Sequence, residues 1–152
     1  MIYYSNQVRK SGVDGRALKR VTKSLLVAVD EEDASISITL VNDVAIRKLN
    51  REHRGKDAAT DVLSFPLAED DHFEGAERMI GDVVISLDTA ARQAAEYDAP
   101  LHRELERLLI HGILHVLGHD HMEPVERQRM ETEERRLATA IGMPWPYEDV
   151  PA

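Results

Sequence analysis

The chain has 152 residues, 43% hydrophobic and 31% charged, with a formal charge of −9 and no cysteine. Its length suits one domain, residues 1–152, with a core that needs no disulfides, and its balance of apolar and charged residues excludes a disordered or fibrous chain. The lack of cysteine excludes disulfides, thiolate metal ligands and cysteine nucleophiles. No apolar run approaches the roughly 18 residues of a spanning helix and no signal-peptide pattern opens the chain, so a soluble cytoplasmic protein with no membrane partner is expected.

The charge is unevenly placed. Residues 1–60 carry 11 Lys+Arg against 8 Asp+Glu, a net of +3, whereas residues 61–152 carry 8 against 20, a net of −12, and contain no lysine. A polyanion would have to approach the N-terminal half; the alternative is an acidic, solvated surface with no partner.

In chain order, Ile2-Tyr3-Tyr4 suits a short strand and Ser11–Gly15 a turn. From Gly15 to Asp30, Leu18, Val21, Leu25, Leu26 and Val29 recur at helical intervals, with Arg16, Lys19, Arg20 and Lys23 on the other side. Ile36, Ile38 and Leu40 alternate with Ser37 and Thr39 as in a half-buried strand. Asn42 or Asp43 can cap a helix running to about Glu52. Residues 53–61 are too polar and irregular for core and lead into a strand at Val62–Leu67, which Pro66 marks as an edge or a strand end. Residues 69–78 suit an exposed acidic loop. Met79–Ser86 is expected to be a buried strand interrupted by Gly81-Asp82, with Asp82 either making a turn or facing an active site.

Ser86 or Asp88 can cap the next helix, through Ala95. Asp98-Ala99-Pro100 is expected to start another, since proline is tolerated in a first turn and aspartate suits the positive end. In that helix Leu101, Leu105, Leu108, Leu109 and Gly112 form one stripe. Glu123-Pro124 starts a last helix ending at Gly142. The tail, residues 143–152, is broken by prolines; either it is flexible or Trp145 clips it to the body. The order is strand, helix, strand, helix, two strands, then three helices. This implies an α+β fold with a small mixed sheet of about four strands flanked by about five helices.

The most informative stretch is His111-Gly-Ile-Leu-His115-Val-Leu-Gly118-His119-Asp120-His121, which holds four of the seven histidines. His111 and His115 are one helical turn apart on one face. Gly118 can take the left-handed conformation that closes a helix, after which the chain doubles back and brings His121 to the same point. Imidazoles bind zinc at about 2.0–2.1 Å, and three protein ligands leave a tetrahedral ion one open position, as catalytic sites do. One zinc ion per chain is expected on His111, His115 and His121, though imidazole sites also accept other divalent transition metals. At 100° per residue the pair lies on the border of the apolar stripe. His119 shares the loop, and with three ligands supplied it is expected either to orient one of them or to face solvent.

The histidine spacing resembles the metzincin peptidases, H-E-x-x-H-x-x-G-x-x-H, but Gly112 stands where their general-base glutamate would be. A fuller resemblance is to the YbeY family of bacterial endoribonucleases. It is carried by His111-Gly-x-Leu-His115-x-x-Gly118-x-Asp120-His121, by Arg54-Gly-Lys-Asp-x-x-Thr60-Asp61-Val-Leu-Ser64-Phe-Pro66, and by Gly81-Asp82-Val-Val-Ile-Ser86. It covers most of residues 36–142. It implies a zinc-dependent endoribonuclease specific for single strands, acting in ribosomal RNA maturation and ribosome quality control. The partners it implies are ribosomal RNA, ribosomal subunits and ribosome-associated proteins. It also implies zinc on the three histidines, with Arg54 as the important basic residue beside them. An arginine can fork onto phosphate oxygens, and Arg54 and Lys56 lie in the net-positive half, suited to binding RNA. No residue stands out as the base; Asp120 and Asp82 are candidates, and Asp120 could instead orient an imidazole. The competing readings are a metalloprotease or other metal hydrolase, and a non-catalytic ribosome-assembly factor that binds RNA around a structural zinc.

Overall fold

The computed structural model describes residues 1–67, 77–120 and 122–144. Its elements follow the expected order: β1 (Ile2–Asn6), α1 (Gly15–Ala28), β2 (Ser35–Val41), α2 (Asp43–Arg54), β3 (Val62–Pro66), β4 (Met79–Ser86), α3 (Leu87–Glu96), α4 (Leu101–Val116) and α5 (Pro124–Ala140). The four strands form one mixed sheet in the order β1-β2-β4-β3. β1, β2 and β4 run parallel, and β3 pairs antiparallel with β4. Pro66 therefore ends an edge strand, where its missing N–H costs no ladder bond.

Local chemistry explains most boundaries. Asp14 caps α1 by accepting from Ala17 N at 3.1 Å, Asn42 caps α2 through Ala45 N at 2.9 Å, and Ser86 caps α3 through Thr89 N. Each satisfies a backbone donor that a helix start leaves open. Three boundaries differ from expectation. α2 continues to Arg54, because the residue that closes it is Gly55 at φ 70°. Asp98 does not open α4. It sits left-handed at φ 52° and closes α3, where Asp98 N donates to Ala95 O at 3.1 Å and Ala99 N to Ala94 O at 2.9 Å; α4 starts at Leu101 without a side-chain cap. Gly81-Asp82 does not interrupt β4 either. The irregularity falls one residue earlier, where the register steps from Ser35 opposite Met79 to Ile36 opposite Gly81 and leaves Ile80 as an extra residue. Of the expected acidic loop, residues 69–76 lie outside the described residues, as do Trp145 and the rest of the tail; Met143 is buried.

The sheet carries two unequal layers. On one face Ile36, Ile38, Leu40, Val83 and Ile85 pack with Leu25 of α1, with Leu108, Leu109 and Ile113 of α4, and with Met130 and Leu137 of α5. On the other, Val41, Leu63 and Val84 form a small cluster under Ile46 of α2. The apolar stripe of α4 thus lies across β3 and β4. Two glycines set how close it comes. A Cβ at Gly112 would stand 2.7 Å from Val83 Cγ1, and one at Gly81 would meet the Phe65 carbonyl at 2.7 Å and Val116 Cγ1 at 3.0 Å. Ser64 Oγ then donates to the Gly112 carbonyl at 3.0 Å, tying β3 to the middle of α4.

The N-termini of α2 and α3 are locked together by Asp43. Its carboxylate accepts from Ser86 Oγ at 2.6 Å, Thr89 Oγ1 at 2.7 Å and Arg92 Nη2 at 2.9 Å, while its N–H donates to Asp88 at 2.8 Å. Burial by itself would raise the pKa of this carboxyl, but the three donors outweigh it and hold Asp43 below the usual carboxylate range.

Two outcomes follow. Gly112→Val forces a side chain into Val83 and is expected to cost roughly 1–3 kcal/mol in denaturant unfolding, part of which Val83→Ala restores when combined with it. For Asp43, a folded-state value below the unfolded value of about 3.9 means stabilisation that is complete above the unfolded value and lost as pH falls through the folded one. Asp43→Asn should therefore be less stable than wild type at neutral pH, and the gap should close below about pH 4. A gap that persists unchanged at pH 3 contradicts that role for the ionised carboxylate.

Candidate active site

The histidine segment is built by the end of α4. Gly118, at φ 96°, lets the chain leave the helix: Gly118 N donates to His115 O at 3.0 Å and His119 N to Leu114 O at 2.9 Å. This paired arrangement satisfies the last helical carbonyls while turning the chain back. His111 and His115 are half-buried at the border of the core beside Leu108, Gly112 and Leu114. Their ring centroids are 4.5 Å apart with planes inclined by 70°, and the two Nε2 atoms approach to 3.0 Å.

That approach constrains the chemistry. Two imidazole lone pairs cannot face each other at 3.0 Å, so a proton or a cation has to lie between them. On the far side of the His111 ring, Nδ1 lies 3.5 Å from Oε2 of Glu134, a buried carboxylate on α5. A proton on Nδ1 facing that carboxylate leaves Nε2 with its lone pair. Two nitrogens held by one tetrahedral zinc at about 2.0–2.1 Å are roughly 3.3–3.4 Å apart, so the pair fits a shared ion after a shift of a few tenths of an ångström. The third expected ligand, His121, lies outside the described residues. Among those that are described, no group of three metal-ligating side chains occurs.

The two rings line a cleft of about 630 Å³. One wall is the end of α2 and the loop after it, with Asn50, Arg54, Lys56 and Thr60; another is the start of β3, with Asp61 and Ser64; the third is the α4 turn, with His119, Asp120 and Met122. Arg54 Nη2 donates to the Ser64 carbonyl at 3.0 Å, which ties the end of α2 to β3 beside the histidines. The loop from Gly55 to Thr60 is held by Asn50, whose buried side chain donates to Ala58 O at 2.9 Å. Arg54 and Lys56 thus share one cleft with His111, His115 and Asp120. Asp120 accepts from Met122 N at 3.1 Å. His119 borders this cleft and also a neighbouring depression formed with Gln128, Arg129 and Thr132 of α5.

Asp82 is not part of this arrangement. It lies opposite Phe65 on β3 and, by the two-residue alternation of β4, on the face away from Val83 and α4. It neither makes a turn nor faces the cleft, but is half-buried on the α2 side of the sheet. Gly112 has a matching consequence for the peptidase pattern: a glutamate there would run into Val83 and Ser64, so no general base can occupy that position.

Sequence reasoning named Asp61 within the Arg54 motif but missed the residues that hold it. Asp61 accepts from Val62 N at 2.8 Å and Gln93 Nε2 at 3.3 Å, and lies 3.8 Å from Arg107 Nη2. Arg107 forks onto the fully buried Glu104 at 2.6 and 2.9 Å. This network backs the wall from which Asp61 and Ser64 face the cleft. Glu134 was missed too. Both glutamates had a signal, a carboxylate at a core-facing helical position: Glu134 falls between Met130 and Leu137, and Glu104 beside Leu105 and Leu108.

The chain as a whole is similar to proteins of one known family. The family model described as Endoribonuclease YbeY matches residues 3–142. A relative from Anaeromyxobacter sp. (strain Fw109-5), named Endoribonuclease YbeY, is 52% identical over 128 residues, covering 84% of this chain and 65% of the relative. The chain therefore spans slightly less than two thirds of that protein. A relative of the same name from Carboxydothermus hydrogenoformans is 43% identical over 145 residues, with 94% of this chain and 99% of the relative covered. The solution structure of TM1509 from Thermotoga maritima superposes with a TM-score of 0.58 at 26% identity, over 93% of this chain and 92% of that one. The family match over almost the whole chain, together with the identity to these relatives, leads to one conclusion: this chain belongs to the Endoribonuclease YbeY family.

Proposed function

We propose that this chain is a zinc-dependent endoribonuclease that cleaves single-stranded RNA, with ribosomal RNA in maturation and quality control as its substrate and the cytoplasm as its setting. The observation that carries the reading is the meeting of two imidazole nitrogens at 3.0 Å in a cleft whose opposite wall presents Arg54 and Lys56. His111, His115 and His121 would hold the ion. A zinc ion there would supply Lewis acidity toward a phosphoryl oxygen and would lower the pKa of water.

The rest falls to the chain. Arg54 is held through one guanidinium nitrogen by the Ser64 carbonyl; its other donors can fork onto a phosphate as charge builds there. Lys56 adds a second positive charge along the same wall and binds the RNA backbone without reading bases. Asp120 lines the same cleft and is the carboxylate we assign to accept a proton. Among the described residues no helix is long and apolar enough to cross a membrane.

His115→Ala should weaken zinc binding by more than the roughly 10- to 100-fold typical of losing an outer hydrogen bond to a ligand, and abolish cleavage. Arg54→Ala should leave zinc content unchanged and slow cleavage about 10- to 100-fold, as expected for losing a hydrogen bond to a charged group. It should also reduce the salt dependence of RNA binding by about 0.7 in log–log slope. Cleavage that survives a chelator, or that both variants retain after repurification, would point to contaminating nuclease and remove the reading.

A further inference from the structure

The residue that stands out after the cleft is explained is Glu134. It lies on α5 between Met130 and Leu137, both buried in the core, and is itself 8% exposed. Helical periodicity makes this a core position, where an apolar side chain would pack at no electrostatic cost. A carboxylate placed there must be compensated, because burying a charge away from water is strongly unfavourable unless it is paired. The partner is the Nδ1 edge of His111, at 3.5 Å.

We propose that Glu134 is a positioning residue for the histidine centre. It fixes the His111 ring with its proton on Nδ1, so that the lone pair of Nε2 points at His115 and into the cleft. This rests on the zinc reading above. The chemistry is that of a carboxylate behind a metal-bound imidazole: the hydrogen bond selects the tautomer, fixes the ring plane and makes the ligating nitrogen more basic. The arrangement also links two elements. α5 is docked by Met130, Leu137 and Ala138, and the segment joining α4 to α5 carries His119, Asp120 and His121. Glu134 therefore ties the helix beyond the ligand loop to the ligand before it, and a bound ion would be sensed by the docking of α5.

A purely structural role predicts something different. If the carboxylate served only to hold α5 on α4, replacing it would loosen the metal-free protein. If it serves the histidine, Glu134→Leu fills a core position with an apolar side chain and leaves the metal-free protein as stable or more so, while His111 loses its orientation.

The test uses the full chain, stripped of metal and titrated with zinc against a chromophoric chelator, beside thermal unfolding of the metal-free forms. Expected are a zinc dissociation constant about 10- to 100-fold higher in Glu134→Leu, an intermediate value in Glu134→Gln, which keeps an acceptor but not the charge, and metal-free unfolding midpoints at or above wild type. Wild-type zinc affinity in both variants overturns the proposal. So does an affinity loss that merely follows a drop in metal-free stability. A wild-type chain that does not bind zinc overturns the centre itself, and the proposal with it.

Discussion

The close approach of α4 to the β3–β4 edge is the constraint on which the rest of the molecule depends. It exists because position 112 has no side chain: with a Cβ there, Val83 would be struck at 2.7 Å, and α4 would have to lift from the sheet. Seated as it is, the helix lays Gly112 beside Ser64 and Val116 beside Gly81 at the end of β3, and Ser64 joins both sides, donating to the Gly112 carbonyl and accepting from Arg54 through its own. One serine thus connects the basic end of α2 to the histidine helix. The placement of Arg54 relative to the imidazoles thus rests on a tightly packed interface.

The distribution of charge has a similar logic. The molecule is strongly acidic overall, and most of that charge lies beyond residue 60. The basic residues instead cluster on α1, with Arg16, Lys19, Arg20 and Lys23 exposed, and at the end of α2. There, Arg54 and Lys56 face the cleft, while Arg47 is turned to Asp57 on the outer side at 2.8 Å. The buried carboxylates serve a different end. Glu104 is neutralised by the bidentate Arg107 behind Asp61, and Glu134 faces the ring of His111. Each sits behind a residue that lines the cleft, supporting it from the core side.

Much of this was legible in the residues, because the underlying rules are local. Alternation marked β2, the three-to-four-residue recurrence of leucine marked α1 and α4, and Asn42 and Ser86 announced the helix starts they cap. The H-x3-H spacing and Gly118 placed two imidazoles on one face and a turn after them, as found. Boundaries were misread where one residue could serve two neighbours. Asp98 suits the positive start of α4, but its left-handed backbone closes α3 instead, and nothing in the order of residues states which helix claims it. Gly81 and Asp82 looked like a break in β4, yet the glycine is there because α4 and β3 come close, a reason that lies in other parts of the chain.

The sequence by itself determined the element types, the four strands and five helices, the pairing of His111 with His115 and the polarity of charge along the chain. These follow from periodicity, capping and spacing over a few residues, where covalent geometry does the work. Only the tertiary structure decided that Arg54 stands across from the histidines, that Asp82 lies on the other face of the sheet, and that Glu134 backs His111. Such facts depend on how β3 pairs with β4 and how α4 and α5 settle on that sheet. They are meetings between residues distant in sequence, and these are chosen by the burial of the whole core, so no local pattern encodes them.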